Sequence, residues 1–304
     1  MKQQFGFAYQ TGAVILAQLD HLAAKRGESS LGITRSLAEA WVARRPHESA
    51  HSCYGRVRLL IGFSSYLVDL GIDSFIPKPP AYPPPTFIPY IYAPQEMRAL
   101  FRACDQLRLC LLHTDSSLMS MPTLIRLLYA TGIRIGEALN LKNQDVNLKE
   151  HYLRVKDSKN SKERLIPISD SLGSVCRQYL DYRRYLPLKR EPTYFFVNLN
   201  GGKCSGNSVR HWFKECRSQA GIPYTARIHD LRHTFAVTSL ATMAEAGIDL
   251  YVSLPILSHY LGHQSLESTN HYVRLTSQMY PGLIREIDMI CLDVFPKHYS
   301  HEAD

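Results

Sequence analysis

Ile228-His-Asp-Leu-Arg-His-Thr-Phe-Ala236 is the stretch on which the reading of this chain turns. It puts His229, Arg232 and His233 on one turn of an expected helix. Histidines at i,i+4 share a helix face and suggest a metal. A histidine and an arginine at i,i+3 suggest a held phosphate. A zinc protease needs a glutamate after the first histidine as its base, and here that place is Asp230, one carbon shorter. Arg232 would repel a divalent ion from the same turn, and no third ligand follows at a known spacing. Two structural histidines on a partly buried helix are the plainer alternative. The phosphate reading explains more, because a guanidinium fork matches two phosphate oxygens and a neighbouring histidine can take or give a proton. One such pair is weak evidence, so the rest of the chain has to supply other parts of the same site.

Upstream, Tyr129-Ala-Thr-Gly-Ile-Arg-Ile-Gly-Glu-Ala-Leu-Asn-Leu141 places Arg134 just past a Thr-Gly break, at the start of a helix. Unpaired N–H groups and the positive dipole end favour an anion there. Glu137 follows three residues later, placed to orient the guanidinium. An ordinary surface ion pair is the bland alternative. Residues 151–156 and 163–169 alternate as a strand pair around a polar turn, and Lys159 sits at its tip, with Lys156 and Lys162 as nearby competitors. Downstream, Leu257-Ser-His-Tyr-Leu-Gly-His263 ends a helix at Gly262, and Tyr272 lies nine residues beyond His263 in another expected helix.

Further out, Pro77-Lys-Pro-Pro-Ala-Tyr-Pro-Pro-Pro85 divides the chain. Proline fixes φ and lacks a donor, so the segment reads as an extended, semi-rigid spacer. The expected organisation is a helical bundle over 1–76, a linker over 77–87 and a longer mixed part over 88–304. Helices are expected around Val14–Leu22, Leu37–Val42 and Val57–Leu70, the last closed by Gly71, and again from Pro94. Residues 193–198, TYFFVN, read as a third short strand, and the chain from Ser205 on as mostly helix. The fold class is therefore mainly α with a small antiparallel β-sheet.

A formal charge of +8 favours an anionic partner, nucleic acid before membrane. Seven cysteines with no CxxC pair argue against a disulfide framework and a thiolate zinc site, and point to a reducing compartment. The opening twenty residues lack a signal-peptide pattern, and no run approaches a membrane span. A cytoplasmic location is expected.

These segments, in this order, resemble the tyrosine recombinase, or phage integrase, family. The resemblance covers roughly 88–285 and rests on Arg134 with Glu137, Lys159, His229 with Arg232 and His233, Leu261-Gly262-His263, and Tyr272. Ser158 and Asn160 stand where the family usually has glycines around the hairpin lysine.

The resemblance implies a DNA strand transferase with a 3′-phosphotyrosyl intermediate, using neither ATP nor metal nor any cofactor. Tyr272 would be the nucleophile and His229 its base. Arg134 and Arg232 would clamp the non-bridging oxygens, Lys159 would protonate the leaving 5′ oxygen, and His263 would hydrogen-bond the phosphate. Glu137 and His233 would support them. Residues 1–76 would be a core-binding (SAM-like) DNA-binding domain. Arg183, Arg184, Lys189, Arg190, Lys203 and Arg210 are candidates for phosphate contacts. The implied partner is double-stranded DNA, bound as a homotetramer on two sites by a chain that is a monomer or weak dimer when free. DNA-bending accessory proteins would assist, no membrane is involved, and the setting would be a bacterial nucleoid. A type IB topoisomerase-like enzyme and a non-catalytic DNA-binding protein of the same fold are the alternatives.

Overall fold

The computed structural model describes residues 10–84, 88–108, 116–156, 163–186, 188–262 and Tyr272. The chain forms two compact units, Met1–Phe87 and Ile88–Asp304.

The first unit holds α1 (Gln10–Lys25), α2 (Arg35–Val42) and α3 (Ala50–Asp69). Thr34 and Ser49 cap α2 and α3, each hydroxyl accepting an N–H of the first turn. The core gathers Leu19, Leu37, Trp41, Leu60 and Leu67. Arg56 is buried against it, stacked on Trp41 and paired with Glu48 at 2.7 Å. That guanidinium's hydrogen bond outweighs burial and lowers the Glu48 carboxyl to about 2. Gly71, at φ 80°, closes α3 with its N–H on the Val68 carbonyl at 2.9 Å. From the proline segment, Tyr82 meets the Tyr54 ring edge-on, with centroids 5.1 Å apart.

The second unit contains α4 (Pro94–Asp105), α5 (Met121–Thr131) and α6 (Ile135–Asn140). The strands β1 (Val146–Asn147), β2 (Tyr152–Lys156) and β3 (Glu163–Pro167) follow. Then come α7 (Asp170–Arg184), α8 (Gly206–Gln219), α9 (Asp230–Glu245) and α10 (Leu250–Leu261). The sheet is antiparallel in the order β1-β2-β3, with Leu153 opposite Ile166 and Val155 opposite Arg164. Leu153, Val155 and Ile166 face inward and join a core built around α5, whose Leu124, Ile125, Leu127 and Leu128 are buried. Helix α5 packs on α4, α7 and α9, and α9 packs on α10.

Residues 193–198 do not extend the sheet. They make only single bridges, Tyr194 to Lys142 and Val197 to Lys203, and the third strand is Val146–Asn147 instead. Phe195, Phe196 and Val197 are consecutively buried, so the segment runs through the core rather than along a sheet with one wet face. Helix α7, capped by Ser169, was not expected from the sequence.

Candidate active site

Two helix C-termini and one helix N-terminus converge on the locus that holds the arginines. Helix α5 ends at Gly132 with φ 60°, and α10 ends at Gly262 with φ 67°. A left-handed residue turns the chain and leaves the last carbonyls pointing outward, at the negative end of the dipole. Arg232 uses them: Nη1 donates to the Gly132 carbonyl and Nη2 to the Leu261 carbonyl, both at 2.8 Å. Only 3% exposed, this side chain is a buried cation held by two helix ends. Arg134 occupies the N-cap of α6. Its own N–H donates to Glu137 Oε2 at 2.8 Å, Nη1 donates to Oε1 at 2.9 Å, and Nη2 reaches the Gly262 carbonyl at 3.2 Å.

Glu137 is shared. Arg164, on β3, donates Nη2 to Oε2 at 2.8 Å and Nη1 to Oε1 at 3.2 Å. Burial pushes the Glu137 carboxyl up, but the Arg164 hydrogen bonds, the Arg134 N–H and the Arg164 charge together outweigh it, and the pKa falls below its usual range. Desolvation, followed by repulsion from Arg134, lowers the Arg232 pKa to about 10, which leaves it cationic at neutral pH.

Tyr272 is 3% exposed, lodged among Ala236, Val237, Leu240, Leu257 and Leu261. Burial raises its phenol pKa; the charge of Arg232, a hydrogen bond with Arg232, and the charge of Arg134 oppose that rise. The His233 ring lies 5.5 Å from that of Tyr272, and His229 meets His233 edge-on at 5.1 Å. His229 is the N-cap of α9 and is exposed at the mouth of the site. Partial desolvation, then the charge of Arg232, lowers its pKa below 6.5, so the ring is neutral at pH 7. Asp230, next in sequence, is buried and accepts the Arg227 N–H at 2.8 Å. That contact is structural and fixes the start of α9.

Arg134, Glu137, His229, Arg232, His233 and Tyr272 thus come together from α6, α9 and the stretch beyond α10. Lys159 and His263 lie outside the described residues, as does Lys162. Lys156, the remaining competitor, is engaged at the base of the hairpin by Asp145 at 3.3 Å and Glu163 at 3.9 Å. Among the described residues, no three His, Cys, Asp or Glu side chains stand close enough to share an ion.

Sequence reasoning missed Arg164 and the role of the Gly132, Leu261 and Gly262 carbonyls. Several surface candidates are occupied by the fold. Arg183 donates to the Tyr194 and Phe195 carbonyls at 3.1 and 2.7 Å, Arg184 pairs with Asp181, and Lys203 bonds to Asn140. Arg210 donates to Asn207 at 2.9 Å, while Arg190 packs against Gly201 and Gly202.

Known proteins similar to this chain fall in one family. A match to the phage integrase family spans residues 92–279. A Sinorhizobium fredii protein named as an integrase/recombinase is 29% identical over 84% of each chain. The tyrosine recombinase XerA of Pyrococcus furiosus is 37% identical over 55% of this chain and 54% of its own length. Among solved structures, the Tn1549 transposon integrase in complex with transposon right-end DNA superposes with a TM-score of 0.65. That likeness covers 90% of this chain and 94% of the other, at 16% identity, and speaks to the fold. A mainly helical domain with a small antiparallel sheet is the fold shared with these recombinase and integrase structures. The chain belongs to the phage integrase family. Among the described residues, no helix is long and apolar enough to cross a membrane.

Proposed function

We propose that this protein is a site-specific DNA recombinase that cuts and rejoins strands through a covalent phosphotyrosyl intermediate, in the integration, excision or transposition of a mobile element. The observation that carries the reading is the buried Tyr272 beside His233, near enough to Arg232 and Arg134 for their charges to bear on its phenol, with Arg134 anchored on the Gly262 carbonyl. Phosphodiester oxygens held by those two guanidiniums would bring phosphorus to the tyrosine oxygen. A free phenol is a poor nucleophile near neutrality, so its proton must go to a base. His229, neutral at pH 7, takes that proton. The Tyr272 oxygen bonds to phosphorus, the bond to the 5′ oxygen breaks, and Lys159 protonates that oxygen as it leaves. A 5′-hydroxyl from the same or a partner duplex reverses the step. The ester conserves the bond energy, so neither ATP nor another high-energy cofactor is required, and the two guanidiniums take the place of metal ions. His263 hydrogen-bonds the phosphate, His233 supports Tyr272, and Glu137 orients Arg134. The helical first unit is a DNA-binding domain. The working assembly is a homotetramer on two DNA sites, aided by DNA-bending proteins.

Covalent capture tests this. Wild type and Tyr272→Phe are incubated in EDTA with DNA from the ends of the element that encodes the protein, then separated under denaturing conditions. A protein–DNA adduct with wild type alone is expected. An adduct that persists in Tyr272→Phe overturns the nucleophile assignment. DNA retarded in a gel but never captured by wild type overturns the reaction and leaves a binding protein of the same fold.

A further inference from the structure

The side chain best placed to hold the site together without touching the reacting atoms is Arg164. It belongs to β3, which pairs antiparallel with β2. Its guanidinium makes bonds in two directions. Nη1 and Nη2 grip both oxygens of Glu137, at 3.2 and 2.8 Å, while Nε donates to the Tyr260 carbonyl at 3.0 Å. It also packs under the turn before His263: a Cβ built on Gly262 would lie 3.0 Å from Nη1. One planar group therefore joins three elements, the hairpin, the α6 N-terminus and the α10 C-terminus. The side chain is 11% exposed and Glu137 is 9% exposed, so the pair is screened little by water.

This geometry has a chemical consequence. The Glu137 carboxylate lies between Arg134 and Arg164. With Arg164 in place, each oxygen accepts from both sides, and its orientation is set by β3 rather than by Arg134 alone. Without Arg164 the carboxylate would turn wholly onto Arg134, drawing that guanidinium from its phosphate and neutralising it. The Tyr260 carbonyl would lose its partner, and with it the fixed end of α10 whose Leu261 and Gly262 carbonyls hold Arg232 and Arg134.

We propose that Arg164 is a positioning residue of the strand-transfer site, acting through Glu137 and the α10 terminus to set Arg134. The inference rests on the recombinase reading for its kinetic consequence, but its geometry does not need it. A lysine cannot reproduce the role, because an ammonium lacks the planar fork that serves two carboxylate oxygens and a carbonyl at once.

The test is a double-mutant cycle with Arg164→Gln, Arg164→Lys, Glu137→Gln and Arg164→Gln/Glu137→Gln, read in two ways. The first readout is the single-turnover rate of adduct formation on saturating DNA, beside the Kd for that DNA. Arg164→Gln is expected to slow adduct formation roughly ten- to a hundred-fold, the scale of a small misplacement of a clamping group, with DNA affinity changed less than about three-fold. Arg164→Lys should recover only part of the rate. The double variant should be little slower than Glu137→Gln alone, because the two residues act as one unit. The second readout, binding of inorganic phosphate by calorimetry, needs no cognate DNA and should show the same non-additivity. Full rescue by lysine, or effects that simply multiply, overturns the proposal in either readout. If wild type forms no adduct but phosphate affinity still falls in Arg164→Gln, the recombinase reading fails and the positioning role stands. A wild type that neither forms an adduct nor binds phosphate sinks both.

Discussion

Replacing Gly132 by alanine perturbs the site through one methyl group. Gly132 has φ 60°, and its carbonyl accepts from Arg232. Forcing an L-residue into the left-handed region costs about 1–2 kcal/mol. The added Cβ would also lie 2.3 Å from Phe235 Cδ1. That ring is stacked on Tyr260 with centroids 5.4 Å apart, so it has little room to retreat. Overpacking of this kind costs roughly 1–3 kcal/mol. Together these give about 2–5 kcal/mol, which for a domain of this size lowers Tm by roughly 4–20 °C. Gly136→Ala is the matched control. It lies in the helical part of the same motif, and a Cβ there meets nothing within 4 Å. Removing a helical glycine should stabilise by about 0.5–1 kcal/mol. Differential scanning calorimetry of both variants gives the comparison, and adduct formation should fall with Gly132→Ala because the carbonyl that fixes Arg232 moves. A Gly132→Ala protein melting within about a degree of Gly136→Ala would refute the reasoning, since conformational strain and ring contact would then be absent together.

The titrating groups give two more outcomes. Glu137→Gln removes a partner from two arginines and should cost about 1–3 kcal/mol at pH 7. Because the folded carboxyl titrates below 4.5, its contribution is complete above that value and lost as pH falls through the lower folded one. The Tm gap between wild type and Glu137→Gln should therefore be constant near neutrality and close in acid; a gap that widens in acid contradicts the assignment. Partial desolvation and the Arg232 charge keep the His229 pKa below 6.5, so the single-turnover cleavage rate should fall with pH only below that value. His229→Gln should remove that limb and slow cleavage by roughly 10²–10⁴. An unchanged acid limb in the variant would take the base role from His229.

What could be read in the sequence were features with a local cause. Gly132 and Gly262 announce helix ends because few other residues turn left-handed there, and Arg134 with Glu137 at i,i+3 must meet on one turn. Helix α7 was missed although Leu172, Cys176 and Tyr179 recur at helical spacing, because Gly173, Ser174 and a polar remainder dilute the stripe. Residues 193–198 look like a strand because aromatic and β-branched residues prefer one, yet tertiary packing buries Phe195, Phe196 and Val197 in succession. Arg164 gave no signal. Its partners are 27 and 96 residues away, and only the fold brings them together. Arg183 looked like a free surface cation for the same reason, until the fold supplied the Tyr194 and Phe195 carbonyls.

The balance of charge at this locus explains why the site needs a carboxylate at all. Among the described residues, Arg134, Arg164 and Arg232 bring three positive charges to one place and Glu137 one negative charge. The remainder is two positive charges. On the proposed mechanism a bound phosphodiester would bring one negative charge and the attacking tyrosine oxygen a second, so this excess would favour the charge that develops on attack over that of the bound ground state. Three guanidiniums alone would repel one another: after burial, the charge of Arg134 is the next cause that lowers the Arg232 pKa. Glu137 offsets part of that repulsion between Arg134 and Arg164, and the carbonyls closing α5 and α10 offset it at Arg232 without adding a full charge. Anchoring by carbonyls also means that the arginines are in position before a phosphate arrives, and no free energy is spent gathering them during the reaction. The two glycine turns are thus part of the electrostatics: they are what lets helix ends, and not further acidic side chains, hold the cations.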